Sequence, residues 1–296
     1  MLSVCIPVYN VNVAKLVKAL SEQAVQLNVP AEIIVIDDHS DEQYRKESDK
    51  LGSDLVKYIQ LPENIGRAKI RNLFLKYVKY EHLLFLDCDS EILDNQFLAN
   101  YITEIKKGEK LICGGRVYTD VEPDRNFRLH WKYGKEKESK PAAIRQMNPN
   151  ASFMTNNFVV ERKVFEKVQL NENIIGYGHE DTLFGYELKH NGISIKHIDN
   201  AVLHAELNSN VLFMENTESA LRNLKSIMAF MGKDKEFVND IALLRVYLKL
   251  KKYGLLFLVR LVFMIKRPFV RPMFCSGFAN MFLLDFYKLG YFAIIK

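Results

Sequence analysis

Residues 83–89 read Leu83-Leu84-Phe85-Leu86-Asp87-Cys88-Asp89: four apolar side chains in a row, then two carboxylates two positions apart. So short a run, apolar on both faces, predicts a strand covered on both sides, as in a parallel sheet between helical layers. Strand side chains alternate, so Asp87 and Asp89 aim the same way if the chain stays extended. Close carboxylates repel, and a divalent cation between them relieves that repulsion. Oxygen ligands suit Mg²⁺ or Mn²⁺, which would also bridge to a diphosphate. Taken alone, the pair reads more readily as a strand-end turn capping the next helix, so the neighbouring strands must decide.

Working outward, Leu2 to Val8, Glu32 to Asp37, Leu55 to Gln60 and Leu111 to Val117 have the same strand character. Between them Val13, Leu16, Val17, Leu20, Ala24 and Leu27 recur at helical spacing, as do Ile70, Leu73, Phe74 and Tyr77. A third helix runs from Asp94 as N-cap through Phe97, Leu98, Tyr101, Ile102 and Ile105 to a stop at Gly108. This β-α alternation predicts an α/β fold, an open and mostly parallel sheet flanked by helices. Asp120 to Asn150 shows neither period and reads as a mobile loop. Beyond it, Ser152 to Val160, Ile193 to Ile198 and Ala201 to His204 read as strands. Asp181 to His190, Glu215 to Met231 and Lys235 to Leu250 read as helices.

Ligands of open α/β sheets sit at the carboxyl ends of the strands. Here those ends carry Pro7-Val8-Tyr9-Asn10, Asp37-Asp38-His39-Ser40 and Asp87-Cys88-Asp89. A dinucleotide site would need a glycine-rich turn after the first strand, and no glycine precedes Gly52. Together with Asn64-Ile65-Gly66-Arg67-Ala68-Lys69-Ile70-Arg71-Asn72 and Gly178-His179-Glu180-Asp181, these segments resemble glycosyltransferase family 2 over residues 2 to 206. Ile70 stands where many members carry Ala, and His179 where a second Gly is frequent.

The resemblance implies a GT-A fold and inverting transfer from a nucleotide-diphosphate sugar. It places Pro7, Tyr9 and Asn10 beside the nucleoside, and Asp38 on its base, whose imide N–H a carboxylate can accept from if it is uracil. Gly66 would let the backbone approach the ligand, and Arg71 would support the nucleotide or its carboxylates, with a structural salt bridge as the alternative. Asp87 and Asp89 would face the diphosphate, with Asp89 and His204 completing a Mn²⁺ or Mg²⁺ site. Inversion needs a base for the acceptor hydroxyl; Asp181 is the candidate, with Glu180 holding an acceptor hydroxyl and helix-capping as the alternative for both. The acceptor would be a hydroxyl of a lipid-linked or growing glycan. A polyprenyl-phosphate sugar synthase, or a non-catalytic glycan- or membrane-binding protein, are the competing readings. Trp131, the only tryptophan, would stack on a sugar or anchor its loop.

The 296 residues are 48% apolar and 26% charged, a globular balance that excludes disorder. Arg245 to Lys296 holds ten basic residues against Asp285 alone, leaving residues 1–244 with 31 basic and 35 acidic. That body is not a nucleic-acid binder by charge, whereas the basic, aromatic tail fits interfacial helices on an anionic membrane. Charges interrupt every apolar stretch of the tail before it could span a bilayer. Cys5, Cys88, Cys113 and Cys275 are dispersed and suit a reducing cytosol, and no leader peptide is visible before Leu2. The expected organisation is a transferase domain over 1–210, with a nucleotide-sugar half (1–118) and an acceptor half (119–210), then a helical membrane-associating region (211–296). The expected location is cytoplasmic, peripheral at the inner face of the plasma membrane.

Overall fold

The run Leu2–Val8 forms β1, buried along its whole length. Its side chains divide by parity: Leu2, Val4, Ile6 and Val8 enter one apolar layer and Cys5 the other, the period of two that a strand imposes. The computed structural model describes residues 1–48, 51–174, 177–231 and 234–295. After β1 come α1 (Ala14–Gln26), β2 (Ala31–Asp37), α2 (Glu42–Ser48), β3 (Val56–Gln60), α3 (Arg67–Leu73), β4 (His82–Leu86), β5 (Ser90–Ile92), α4 (Phe97–Lys106), β6 (Leu111–Cys113) and β7 (Arg116–Val117). Next are α5 (Arg128–Tyr133), α6 (Ala142–Gln146), β8 (Asn157–Glu161), α7 (Arg162–Lys167), α8 (Glu180–His190), β9 (Lys196–His197) and β10 (Val202–His204). The chain finishes with α9 (Asn210–Met231), α10 (Lys235–Asp240), α11 (Ala242–Lys252), α12 (Leu256–Cys275) and α13 (Met281–Ile294).

Seven strands form one sheet in the order β3-β2-β1-β4-β8-β6-β9, parallel except where β8 runs against β4 and β6. Parity repeats along it: Ile33, Val35, Leu84 and Leu86 join the first layer, and Ile34, Ile36, Leu83 and Phe85 the second. α1 and α4 cover the first layer through Leu16, Val17, Leu20, Phe97, Tyr101 and Ile102; α3, α7 and α8 cover the second through Ile70, Phe165, Phe184 and Leu188. A small second sheet, β5-β10-β7, stands apart.

The chain divides into two compact units. Met1–Thr119, Ser139–Asn173 and Glu180–Glu206 form the first, and Asp120–Glu138, Ile174–His179 and Leu207–Lys296 the second. The second unit is helical, with Met214, Leu224, Phe263, Phe274, Tyr287 and Phe292 fully or almost fully buried. Inside it Glu218 accepts hydrogen bonds from Tyr287 Oη (2.5 Å) and Arg271 Nε (2.9 Å). Among the described residues no helix is long and apolar enough to cross a membrane.

The structure departs from the sequence expectations in several segments. Residues 120–150 are not a loop: they hold a 3₁₀ turn (Arg125–Phe127), α5, a π-helical turn (Gly134–Glu138) and α6. Leu129 and Ala142 are their only buried apolar side chains among the described residues, and the other buried anchors are polar, so no apolar period betrays them. In the second unit His130 stacks on Phe213 at 5.1 Å. In the first, the buried Arg145 guanidinium donates to the carbonyls of Lys140, Cys113, Gly114 and Ile198 and bonds His197 Nδ1 at 2.6 Å. The expected strand 111–117 breaks at Gly114-Gly115 into β6 and β7, which belong to different sheets. The expected helix 235–250 is two, and α9 begins at Asn210, whose buried amide binds Leu129 N–H and the Arg125 carbonyl.

Gly114 is required by close approach. A Cβ there would lie 2.2 Å from Tyr101 Oη and 2.4 Å from the Asn200 carbonyl, where Tyr101 Oη donates to Asn157 Oδ1 at 2.6 Å. Gly114→Ala is expected to cost about 3 kcal/mol of stability through overpacking and the disturbed buried bond, read as a lower urea midpoint.

Candidate active site

The strand order reverses direction from β1 between β2 and β4, which makes the β1/β4 boundary the switch point where α/β sheets open a crevice. Pairing there ends at Cys5 opposite Phe85, while β1 runs on to Val8 and β4 to Leu86. Pro7, buried, sits beyond the last β4 partner, so its missing N–H costs no ladder bond to that strand. Tyr9 follows at the surface, 52% exposed. Asn10 and His39 adopt left-handed backbone (φ 54° and 66°), an uncommon conformation that here is held by specific bonds. Asn10 N–H donates to Ser40 Oγ (2.8 Å), Asp41 N–H to Asn10 Oδ1 (2.7 Å), and Asp37 accepts from Ser40 N–H (2.6 Å) and Tyr58 Oη (2.7 Å). The ends of β1 and β2 are thereby fixed to one another.

Asp38, buried, accepts the N–H groups of Ile65 (2.7 Å) and Gly66 (3.0 Å). It thus positions the start of α3 in addition to any contact with a base. Gly66 has φ 85° and ψ 168°, a region essentially restricted to glycine. One turn on, Arg71 is buried and its Nη2 donates to Asp87 Oδ1 at 2.5 Å. Arg116 Nη2 approaches the other Asp87 oxygen at 3.9 Å. Burial pushes the Asp87 carboxyl up, but Arg71, Arg67, Arg116 and His204 together hold it below the usual carboxylate range.

The small sheet delivers the remaining groups. β10 pairs antiparallel with β5, setting His204 opposite Ser90, and parallel with β7, setting Val202 opposite Arg116. His204 Nδ1 therefore lies 3.4 Å from Asp89 Oδ2. Asp89 Oδ1 is buried and accepts no hydrogen bond, a cost that a cation would remove. A cleft of about 250 Å³, lined in part by Asn12, Lys15, Asp89 and Glu206, opens beside it. Among the described residues no three of His, Cys, Asp and Glu form a ready metal cage. The imidazole of His204 and the carboxylate of Asp89 could supply part of the ligand set of a Mn²⁺ or Mg²⁺ ion, which both residue types suit.

Arg67 Nε donates to Glu180 Oε1 at 2.7 Å, joining α3 to the start of α8. Glu180 Oε2 is buried with no hydrogen-bond partner. Burial raises the Glu180 carboxyl, but Arg67 and Arg71 outweigh it and hold Glu180 below the usual range. Asp181 is the opposite case: burial, then the Glu180 charge, pushes it up to about 6, although its Oδ1 accepts Thr182 N–H at 2.7 Å. The two adjacent carboxyls are thus driven in opposite directions by their surroundings.

Pro7, Tyr9, Asn10, Asp38, Gly66, Arg71, Asp87, Asp89, Glu180, Asp181 and His204 all belong to the first unit. Arg116 and Glu206, which are near Asp87 and Asp89 respectively, escaped the sequence reading. A single charged residue inside the expected strand 111–117 was the available signal for Arg116. Trp131 lies on α5 in the second unit, not on a loop. His179 has φ 68°, which accounts for the glycine frequent at that place; of the glycine-containing turn Gly176-Tyr177-Gly178 that the sequence sets before Glu180, Gly176 lies outside the described residues.

The sequence pattern of Glycosyl transferase family 2 matches residues 3–169. A teichoic acid poly(glycerol phosphate) polymerase of Staphylococcus epidermidis is 27% identical over 151 residues, which are 49% of this chain and 20% of that protein. Among solved structures, S. aureus TarS 1–349 superposes with TM-score 0.50 at 21% identity, covering 75% of this chain and 65% of that one. The mannosyltransferase PcManGT of Pyrobaculum calidifontis, in complex with GDP-Man and Mn²⁺, gives 0.54 at 14% over 77% and 64%. Glucosyl-3-phosphoglycerate synthase of Mycobacterium tuberculosis, with Mn²⁺, UDP and glucosyl-3-phosphoglycerate, gives 0.52 at 14% over 78% and 80%. The chain spans about a fifth of the curated relative and about two thirds of the first two of these structures. At these identities the structures establish the GT-A fold, and the match over more than half of the sequence establishes that the chain belongs to glycosyltransferase family 2.

Proposed function

We propose that this protein is an inverting glycosyltransferase that moves a sugar from a nucleotide-diphosphate donor, UDP-linked in our reading, to a hydroxyl of a lipid-linked or growing glycan. The observation that carries this is the convergence, in the first unit, of two charge pairs joining α3 to the site, Arg71–Asp87 and Arg67–Glu180, with the Asp89–His204 pair and Asp181. Neighbours solved with UDP or GDP-Man and Mn²⁺ support the donor class and the metal.

In this reading residues 1–118 hold the donor, with Pro7, Tyr9, Asn10 and Asp38 around the nucleoside and Gly66, Arg71, Asp87 and Asp89 toward the diphosphate. Asp89 and His204 hold the Mn²⁺ or Mg²⁺ ion, which when bound offsets charge on the departing diphosphate. The unpaired Glu180 Oε2 accepts an acceptor hydroxyl, and Asp181 takes the proton of the hydroxyl whose oxygen attacks the anomeric carbon. Residues 119–210 contribute the acceptor side, and the helical region 211–296 contacts an anionic membrane surface from the cytoplasmic side. A phosphate acceptor, as in a polyprenyl-phosphate sugar synthase, needs no base, and the raised Asp181 carboxyl argues for the hydroxyl.

A panel of nucleotide sugars scored for thermal stabilisation with and without Mn²⁺ tests class and donor together. One donor is expected to raise the melting temperature by several degrees only when metal is present, as ligand binding to the folded state requires. Stabilisation by none of them, with or without metal, would remove the transferase reading.

A further inference from the structure

The tail is part of the second unit's core: Leu256, Phe263, Val270 and Phe274 of α12 are all buried there. The opposite face of the same helix is apolar as well. Phe257 (63% exposed), Leu261 (55%), Met264 (65%), Ile265 (58%) and Phe269 (69%) fall within an arc of about 140° at roughly 3.6 residues per turn. A helix apolar on both sides, with one side in water, has an unmet need for burial.

Cations border that arc. On one margin Arg260 donates to the Ala293 carbonyl (2.7 Å), Arg267 lies 5.3 Å over the Tyr291 ring, and Arg271 binds Glu218. Lys266 is exposed on the other margin, and the exposed Lys251 and Lys252 end α11 just before α12. Residues 241–284 contain eight Lys or Arg and no Asp or Glu. Pro268 and Pro272 have no N–H to return to the carbonyls one turn earlier, so the helix suits a depth that water reaches better than hydrocarbon.

We propose that the outward face of α12 lies flat in the headgroup–acyl boundary of an anionic bilayer, its aromatic and aliphatic side chains inserted and its flanking cations at the phosphates. This rests on the membrane contact proposed above and assigns it to one helix face. The charge pattern selects lipid over a second copy of the chain, because face-to-face pairing would bring two acid-free cationic segments together.

Flotation of the full chain with phosphatidylglycerol/phosphatidylcholine vesicles, against phosphatidylcholine alone, tests the assignment. Wild type is expected to float with the anionic vesicles, less so at high salt. The triple variant Leu261→Gln, Ile265→Gln, Phe269→Gln is expected to lose at least tenfold in partitioning, with melting temperature and nucleotide binding unchanged. A second triple, Lys251→Gln, Lys252→Gln, Lys266→Gln, is expected to lose the preference for phosphatidylglycerol. The control Val25→Gln, exposed on α1, should float like wild type. Wild-type flotation by the apolar triple overturns the assignment. So does lipid-free self-association that the apolar triple abolishes, which would make the face a self-interface. If wild type does not float, the membrane contact itself falls with it, whereas loss of the donor reading alone would leave the flotation pattern intact.

Discussion

Asp89→Ala is expected to reduce glycosyl transfer by roughly 10³-fold or more and to abolish the dependence of nucleotide binding on Mn²⁺. A metal stabilising the leaving diphosphate contributes several kcal/mol, and each 1.4 kcal/mol is about tenfold in rate. Folding should survive the change. Asp89 Oδ1 is buried and accepts nothing, so the change relieves one unsatisfied acceptor and gives up only the 3.4 Å contact of Oδ2 with His204. His204→Ala should reproduce the binding defect in weaker form, because its Nδ1 lies 3.4 Å from the other Asp89 oxygen. Steady-state transfer with and without chelator, together with nucleotide titrations, provides the check. Undiminished turnover in excess chelator would remove the metal from the mechanism.

Asp181→Asn is expected to lower turnover by roughly 10²- to 10⁴-fold while donor affinity stays near wild type, because the amide keeps the shape but cannot take a proton. The pH profile is the sharper test. Burial and Glu180 push the Asp181 carboxyl up to about 6, and only the ionised form is a base. Wild-type turnover should therefore climb as pH rises through about 6 and level off above it, and the residual activity of the variant should lack that climb. Stability moves the other way. A carboxyl whose folded pKa lies above its unfolded value of about 4 contributes stability below pH 4, and that contribution is lost as pH rises through about 6. The Asn variant should melt higher than wild type at pH 8, with the gap closing toward pH 4. Collapse of donor affinity would instead place Asp181 in the nucleotide site or the fold.

The runs Leu2 to Val8 and Leu83 to Leu86 announce buried strands because every residue but Ser3 is apolar, and a strand needs only its own residues to alternate sides. Helices α1 and α4 are equally legible, since their buried residues repeat every three or four positions. The carboxylates at the strand ends could be read for the same reason: where an apolar strand stops, its polar neighbours must reach the crevice. Segment 120–150 stayed hidden because Leu129 and Ala142 are too few to show a period, and the anchors His130 and Arg145 are polar and depend on Phe213, on His197 and on carbonyls distant in sequence. Arg116 reaches Asp87, and His204 reaches Asp89, only through the register of β10 with β7 and β5. Propensity and period carry no information about which residue of one strand faces which residue of another. α12 shows the same division in one element: its composition announces a basic apolar helix, but only packing decides that Phe263 and Phe274 enter the core while Phe257 and Phe269 face outward.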